Sequence, residues 1–324
     1  MTTLILGASG FVGQRLLVAL AKSGEPVIAA LRRPQAGLAA MGVEQRVVDA
    51  CDPVSLAAAV AGVQNVVNCV MADAATMVAS TRLLVEVAGQ AGCQRLVHFS
   101  STAVYADREG VISEANAPGG ATDAYGAAKI DCETAVRAAT FETVILRPAL
   151  IYGPGSTQWT DRIGRLLLQR RLGDLGPAGD GVCNLIYIDD VVSAAMSALQ
   201  RPEAAGRSFN LAEPAPPTWN RYLMDFARAL GATPVHRLPG WQLKFERKAI
   251  AIPLKIAEIV KGKLRLARLP LPDAITPSLA RLFSQEIRYS PDETDRILRL
   301  ARTPYADGVL QSAQAFLASR ARAA

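Results

Sequence analysis

Three glycines spaced three residues apart follow the first short apolar run of this chain, in LILGASGFVGQRLL at residues 4–17. Gly7, Gly10 and Gly13 stand where a β-strand would end and a helix would begin. There the first glycine permits a tight turn, the second lets a ligand approach the backbone, and the third lets helix and strand pack closely. A helix N-terminus also offers amide groups to an anion. The stretch predicts a dinucleotide-binding loop, although a plain strand-to-helix turn can share this spacing.

Short apolar runs alternate with helical patterns through the first half of the chain. The strand candidates are 3–7, 26–31, 45–50, 65–70, 95–101 and 143–149, and the helical patterns are 11–23, 53–61, 76–91 and 124–140. Strands apolar enough to be buried on both faces, each followed by a helix, predict an α/β Rossmann fold with a doubly wound parallel sheet. Ligands of such a sheet bind beyond the carboxyl ends of its strands.

The rhythm changes after about residue 150, where loops, a basic helical pattern and prolines become frequent. We predict a cofactor-binding domain over 1–160, to which the chain returns at about 184–212. Residues 161–183 and 213–324 are then expected to form a smaller, mainly helical substrate lobe.

Composition excludes several classes of protein. Only two histidines occur, and the five cysteines are scattered and never in CxxC spacing, so we expect no metal site and no disulfide framework. His98 lies within an apolar strand candidate and is expected to be a packed core residue. No run of 18 apolar residues and no export-signal pattern is visible, so we expect a cytoplasmic protein. We expect a small-molecule substrate and no nucleic-acid partner.

Two arginines follow the second strand candidate, where an acidic residue would hold the ribose of NAD. Leu31 occupies that position, and Arg32 and Arg33 come next. An arginine suits the 2′-phosphate of NADP, which an acidic side chain would repel. Asp49, closing the third strand candidate, is placed to accept a hydrogen bond from the adenine amino group. We therefore expect NADP(H) rather than NAD, although two solvated arginines at a strand end would leave the same pattern.

A tyrosine and a lysine share one helix face in the stretch AYGAAKID, because Tyr125 and Lys129 are four residues apart. A phenol with an ordinary pKa of about 10 is a weak acid–base catalyst at neutral pH, and a neighbouring ammonium group lowers that pKa. The earlier stretch HFSSTAVYAD ends a strand candidate with hydroxyl groups. Ser101 there can hold a substrate carbonyl while Tyr125 donates a proton. The alternative is an ordinary serine-rich loop beside a chance YxxxK spacing.

The motifs GASGFVG, VVDACD, SSTAVY, YGAAK and LRPALIYGPG occur in this order over roughly residues 1–215. As an ordered set they resemble the extended short-chain dehydrogenase/reductase family, in particular its NAD-dependent epimerase/dehydratase and 3β-hydroxysteroid dehydrogenase branches. The resemblance implies that Ser101, Tyr125 and Lys129 are catalytic, with Ser100 and Thr102 as alternatives for the first role. It also implies a homodimer formed through the helices at 76–91 and 124–140.

The cofactor contacts expected from the loop, the strand ends and the resemblance are Gly7, Ser9, Gly10, Phe11, Val12, Gly13, Arg32, Arg33, Asp49, Ala50, Val70, Met71, Ser100, Tyr125, Lys129, Pro148 and Ile151.

Departures from the family pattern narrow the expected reaction. Thr102 and Ala103 stand where the family's sugar-nucleotide dehydratases carry acidic residues, and Leu150 stands where many sugar-nucleotide enzymes carry an asparagine. We therefore predict NADPH-dependent reduction of a ketone or aldehyde on a largely apolar substrate. A nucleotide-sugar epimerase or reductase is the alternative, and a redox-inactive cofactor-binding scaffold or regulator is an alternative of another class.

The segment 237–268 carries nine lysines or arginines against two glutamates. Such a segment would suit an anionic ligand or a peripheral contact with a membrane surface. Its apolar and cationic part, 248–272, is expected to form a lid or a membrane-facing wall over the substrate. A solvated helix face would carry the same charges.

Overall fold

The structure is a computed structural model that describes residues 1–106, 108–120, 123–240, 242, 273 and 275–323. The strands are β1 (Thr3–Leu6), β2 (Val27–Leu31), β3 (Glu44–Val47), β4 (Asn65–Asn68), β5 (Arg95–Phe99), β6 (Gly110–Ile112), β7 (Glu142–Pro148), β8 (Leu150–Tyr152), β9 (Leu185–Tyr187), β10 (Ser208–Leu211) and β11 (Ile287–Tyr289). The α-helices are α1 (Phe11–Lys22), α2 (Ala36–Ala40), α3 (Pro53–Val60), α4 (Ala74–Gln90), α5 (Ala124–Arg137), α6 (Arg162–Leu168), α7 (Ile188–Gln200), α8 (Trp219–Ala229), α9 (Pro277–Leu282) and α10 (Tyr305–Ala323).

Seven strands form one parallel sheet in the order β10-β7-β5-β4-β1-β2-β3. From β1 the chain winds outward through β2 and β3, and then returns to build β4, β5, β7 and β10 on the other side. The direction of winding reverses between β1 and β4, where a crevice opens at the carboxyl ends of the strands. The predicted doubly wound Rossmann fold is therefore confirmed.

Both faces of the sheet are covered, which explains the continuous apolar strands. One core cluster joins strand residues such as Ile5 and Val97 to Leu16 of α1 and Val191 of α7. A second cluster covers the opposite face and includes Leu56, Leu84 and Val136, from α3, α4 and α5. Because the core holds the central strands on both sides, side chains placed at their carboxyl ends are held on a rigid support.

Three of the helices that follow sheet strands begin at aspartate caps that can be read in the sequence. Asp52, Asp73 and Asp123 each accept a hydrogen bond from the amide three residues later, at the starts of α3, α4 and α5. α7 instead begins at Tyr187, whose side chain makes no capping bond, and Asp189 and Asp190 lie in its first turn.

The chain divides into two compact units. The first comprises Met1–Ile151, Ile186–Pro214 and Tyr289–Thr303, and the second comprises Tyr152–Leu185, Ala215–Arg288 and Pro304–Ala324. The first unit thus contains 289–303, which the division drawn from the sequence assigns to the substrate lobe. Within the second unit, aromatic side chains form the core, with Trp219 packed edge-on against Phe283 and Tyr222 stacked on Phe226.

The basic segment 237–268 and the lid or membrane wall predicted at 248–272 lie outside the described residues, except for 237–240 and 242. Within the second unit, Arg237 lies 3.8 Å from an Asp174 carboxylate oxygen. No helix in the described part of the chain combines the length and apolar character needed to cross a membrane.

Candidate active site

The glycine loop that follows β1 has a geometry that other residues cannot adopt. Gly7 has φ +82°, and a Cβ there would lie 2.9 Å from the carbonyl of Cys69. A Cβ on Gly13 would overlap the Gly7 carbonyl oxygen, so α1 approaches β1 as closely as backbone allows. A Cβ on Gly10 would lie 3.3 Å from the same oxygen. These three glycines therefore build a loop that brings the N-terminus of α1 to the crevice.

The N-terminus of α1 is free to bind an anion. Gly10 caps the helix without a side-chain hydrogen bond, and no acidic residue lies in the first turn. First-turn amide groups of a helix have no intrahelical partner. Ser9 is exposed, and Phe11 and Val12 are half-buried. The loop thus fits the pyrophosphate of a dinucleotide, which would accept hydrogen bonds from these amides.

Two cations lie at the end of β2. Leu31 is buried, whereas Arg32 and Arg33 are exposed, and neither arginine has an ion-pair partner among the described residues. Asp49, two residues after β3, uses one carboxylate oxygen to accept a hydrogen bond from the Cys51 amide at 2.9 Å. Its side chain therefore helps to build the turn that contains Ala50.

The β4–α4 connection lies beside the glycine loop. Asn68 ends β4 and accepts a hydrogen bond from the Val70 amide at 3.1 Å. Val70 is half-buried and its amide lies next to Gly7, whereas Met71 is 69% exposed. On the other side of β5 from β4, Pro148 ends β7 and is buried. Ile151 of β8 is half-buried against the core.

Local structure brings Ser101, Tyr125 and Lys129 together. Ser101 ends the segment after β5 and caps a short 3-10 turn by accepting the Ala103 amide at 3.1 Å. Asp123 starts α5, which places Tyr125 in the first turn and Lys129 one turn later. Ser101 lies close enough to Tyr125 to lower the pKa of the phenol, and Lys129 Nζ lies 5.8 Å from the centre of the Tyr125 ring. The spacing read from the sequence thus corresponds to one cluster.

The ionisation of Tyr125 differs from what the sequence predicts. The sequence predicts a lowered pKa, but burial raises the pKa of this phenol more strongly than the neighbouring Ser101 hydroxyl lowers it. Lys129 donates instead to the Phe99 carbonyl oxygen, at 2.7 Å, and lies over the ring of the tyrosine rather than at its oxygen. Burial also lowers the pKa of Lys129. The isolated chain therefore keeps Tyr125 as a neutral phenol at neutral pH.

Ser100 and Thr102, the alternatives to Ser101, are both buried. The Ser100 hydroxyl donates to a carboxylate oxygen of Glu133 at 2.6 Å. Glu133 in turn pairs with Arg147 of β7, at 2.6 Å between Nη2 and Oε2. Sequence reasoning missed this pair, although Glu133 follows Lys129 by four residues on the same helix face.

His98 is a packed core residue of β5, as the sequence predicts. His98 is buried and its pKa lies well below the ordinary value because burial disfavours the charged ring. One ring nitrogen, Nδ1, lies 3.2 Å from Asn68 Nδ2. All five cysteines are free thiols, and the described residues contain no group of His, Cys, Asp or Glu that could hold a metal ion.

Comparison with known proteins identifies a family for this chain. The family model of the NAD dependent epimerase/dehydratase family matches residues 3–212. A 2-alkyl-3-oxoalkanoate reductase of Stenotrophomonas maltophilia (strain K279a) is 29% identical over 301 residues, which cover 86% of this chain and 90% of that protein.

Two solved structures share the fold. A short-chain dehydrogenase/reductase superfamily protein of Agrobacterium tumefaciens with bound NAD matches with a TM-score of 0.71 and 22% identity, covering 100% of this chain and 98% of that chain. MoeE5 in complex with UDP-glucuronic acid and NAD matches with a TM-score of 0.74 and 20% identity, covering 98% and 100%. The glycine loop, the fold and the family match lead to one conclusion: this chain belongs to the NAD dependent epimerase/dehydratase family of extended short-chain dehydrogenases/reductases and is an NAD(P)-dependent enzyme.

Proposed function

We propose that this enzyme uses NADPH to reduce a ketone or aldehyde on a largely apolar substrate, with Ser101, Tyr125 and Lys129 as the catalytic residues. The observation that carries the proposal is the cluster at the carboxyl edge of the sheet, where Lys129 Nζ lies 5.8 Å from the centre of the Tyr125 ring and Ser101 lies close to the Tyr125 phenol. The glycine loop lies at the same edge, because all the sheet strands are parallel.

Each of these side chains has a separate role. NADPH, when bound, supplies the hydride that reduces the carbonyl carbon. Ser101 donates a hydrogen bond to the carbonyl oxygen, and Tyr125 gives that oxygen its proton. Lys129 donates one hydrogen bond to the Phe99 carbonyl, and its remaining N–H groups would hold the ribose hydroxyls. A phenol whose pKa is raised by burial stays protonated at neutral pH, which suits proton donation in the direction of reduction.

The preference for NADPH rests on the two exposed arginines. Arg32 and Arg33 follow the buried Leu31 at the end of β2, without an ion-pair partner in the described chain. A dianionic 2′-phosphate would find both cations free. The solved structures named above contain NAD. NAD is therefore the competing cofactor, and it must be compared directly.

Two residues, Leu150 and Ala103, support an apolar substrate, and one relative supports it as well. Leu150 is half-buried and presents no polar group, and Ala103 offers no acid next to Ser101. The relative named a 2-alkyl-3-oxoalkanoate reductase acts on a ketone next to an alkyl chain. We propose the same chemical class, an alkyl-substituted oxo compound, for this enzyme.

A nucleotide-sugar epimerase or reductase is the second candidate. It is favoured by the similar fold of MoeE5, which was solved with UDP-glucuronic acid and NAD. The epimerase would oxidise and re-reduce one substrate without net consumption of cofactor, whereas the reductase would consume reduced cofactor with a nucleotide sugar. A redox-inactive scaffold is the third candidate, and the preserved hydroxyl–phenol–ammonium cluster argues against it.

The test is an oxidation assay of NADPH and NADH with 3-oxo acids, alkyl ketones, aldehydes and UDP-sugars. We expect stoichiometric NADPH oxidation with an oxo compound and slower oxidation of NADH. Interconversion of UDP-sugars without net cofactor oxidation would instead identify the epimerase. Cofactor binding with no turnover of either kind would support the scaffold. The homodimer and the cytoplasmic location stay predictions.

A further inference from the structure

A buried carboxylate connects the two elements that carry the proposed catalytic residues. Glu133 of α5 is 2% exposed and accepts a hydrogen bond from the Ser100 hydroxyl at 2.6 Å. It also accepts from Arg147, at 2.8 Å from Nε and 2.6 Å from Nη2, in a two-pronged ion pair. Arg147 is itself only 1% exposed. The pair is therefore almost fully removed from water.

Stability alone is a weak reason for such a pair. Burying two charges removes their hydration, and apolar residues of similar size often stabilise a fold equally well. The position of the pair is more informative. Ser100 directly precedes Ser101, and Glu133 lies one helical turn beyond Lys129. A single carboxylate thus contacts the strand end that carries Ser101 and shares a helix face with Lys129.

The surroundings of Lys129 show which charge acts on it. Burial lowers the pKa of this ammonium group, and the groups that oppose burial are Cys132, Cys69 and Glu133. Burial raises the pKa of both thiols, which leaves them uncharged at neutral pH. The ring of His98 also stays neutral. Glu133 is therefore the group among these that carries a negative charge at neutral pH.

Glu133 stays charged because of Arg147. Hydrogen bonds from Arg147 hold the pKa of Glu133 below its ordinary value despite burial, and Arg137, 3.3 Å away at the surface, adds to the effect. The far side of Arg147 is fixed as well. Its Nη1 donates to the Tyr105 hydroxyl at 2.5 Å, and that hydroxyl donates to Asn210 Oδ1 of β10 at 2.9 Å. The carboxylate is thus anchored through β7 to the edge of the sheet.

We propose that Glu133 is a positioning residue, which orients the Ser100–Ser101 turn and supplies the counter-charge that keeps Lys129 an ammonium group. The inference rests on the proposed function in one respect, namely that Lys129 binds the cofactor ribose. Arg147 acts through Glu133, and neither residue needs to contact substrate.

Two variants test this inference. Glu133→Gln removes the charge but leaves an acceptor for Ser100. It also leaves Arg147 as a buried cation without its carboxylate partner, and this is destabilising. The double variant Glu133→Gln/Arg147→Met removes both charges, so stability is expected to recover. The matched control is Glu142→Gln. Glu142 also forms an ion pair with a buried arginine, Arg95, but at the amino-terminal end of the same sheet.

The readout is NADPH affinity, measured by quenching of protein fluorescence from neutral to alkaline pH. Wild type is expected to lose affinity as Lys129 loses its proton, and Lys129→Ala, which lacks that group, should bind weakly at every pH. Both Glu133 variants should lose affinity at a pH lower by about one unit, which makes their binding about fivefold weaker than that of wild type at the wild-type midpoint. The control should follow wild type.

The outcomes separate the two proposals. If wild type binds NADPH normally, and the folded double variant loses affinity at the same alkaline pH as wild type, the role of Glu133 is overturned. The proposed function would then stand. The role of Glu133 is also overturned if the single variant differs from wild type in stability and in pH profile but the double variant matches wild type in both. The ion pair would then be merely structural. A wild-type chain that binds neither NADPH nor NADH would overturn both proposals together.

Discussion

A single phenol carries the proposed proton transfer, and its environment decides the direction that it favours. Tyr125 is half-buried beside Ser101, and this burial raises its pKa, so the proton is present when a carbonyl oxygen needs it. The sequence predicts the opposite shift, since it places an ammonium group nearby but says nothing of how deeply the ring is buried. The direction of a pKa shift depends on desolvation, which only the folded chain defines.

Arg32 and Arg33 give the first prediction at this scale. Replacing both with serine should weaken NADPH binding by roughly thirtyfold, about 2 kcal/mol, since two charge-assisted contacts to the 2′-phosphate are lost. NADH binding should change little. Calorimetric titration of both cofactors measures the effect, and Arg82→Ser, at an exposed position of α4, is the surface control. Equal weakening of NADPH and NADH would assign the arginines to another role.

At the scale of secondary structure, the glycine loop and α1 act as one unit. Gly13→Ala would drive a methyl group into the Gly7 carbonyl and against the Ala8 Cα, 3.0 Å away. Since both are backbone atoms, α1 must move off β1. We expect a loss of about 1–3 kcal/mol in unfolding free energy and loss of cofactor binding.

Gly89→Ala is the matched control for that change. Gly89 lies in α4, and its added methyl would meet the Phe141 ring at an ordinary 3.6 Å. Because alanine is a better helix former than glycine, this variant should be more stable by up to about 1 kcal/mol. Thermal unfolding of both variants, with cofactor titration, gives the comparison. A stable Gly13→Ala protein that still binds cofactor would show that the close approach is not needed.

The predicted elements agree with the structure where local pattern decides them. Six of the seven sheet strands and helices α1, α3, α4 and α5 were predicted to within a few residues, since their apolar runs and helical patterns are local signals. The strands β6 and β11 were missed, because three-residue strands pair across more than 170 positions of sequence, as the Ser290–Ile112 backbone bond shows. The Glu133–Arg147 pair was missed for the same reason, since only tertiary packing brings β7 to that face of α5.

For the molecule as a whole, a buried carboxyl group makes stability depend on pH. Glu213, just after β10, is 9% exposed, and burial raises its pKa to about 6. The folded state therefore binds this proton more tightly than the unfolded state does. Its contribution is fully present below the ordinary pKa of 4.5 and is lost as pH rises through 6, which amounts to about 2 kcal/mol.

Glu213→Gln should remove this dependence. The amide stays neutral, so the variant is expected to be more stable than wild type above pH 6 and to show a flatter stability curve between 4.5 and 6. Urea unfolding across this range measures both effects, and Glu203→Gln, at an exposed position of the same unit, is the control. A curve as steep as that of wild type would mean that other carboxyl groups, such as Asp190, dominate.

The proton transfer assigned to Tyr125 is tested most directly by single-turnover reduction with NADPH deuterated at C4, in wild type and in Tyr125→Phe. Wild type is expected to deliver deuterium to the carbonyl carbon of an oxo substrate. The phenylalanine variant should bind NADPH with unchanged affinity and transfer deuterium about a thousandfold more slowly. Transfer at the wild-type rate from the variant would contradict the assignment of Tyr125 as the proton donor.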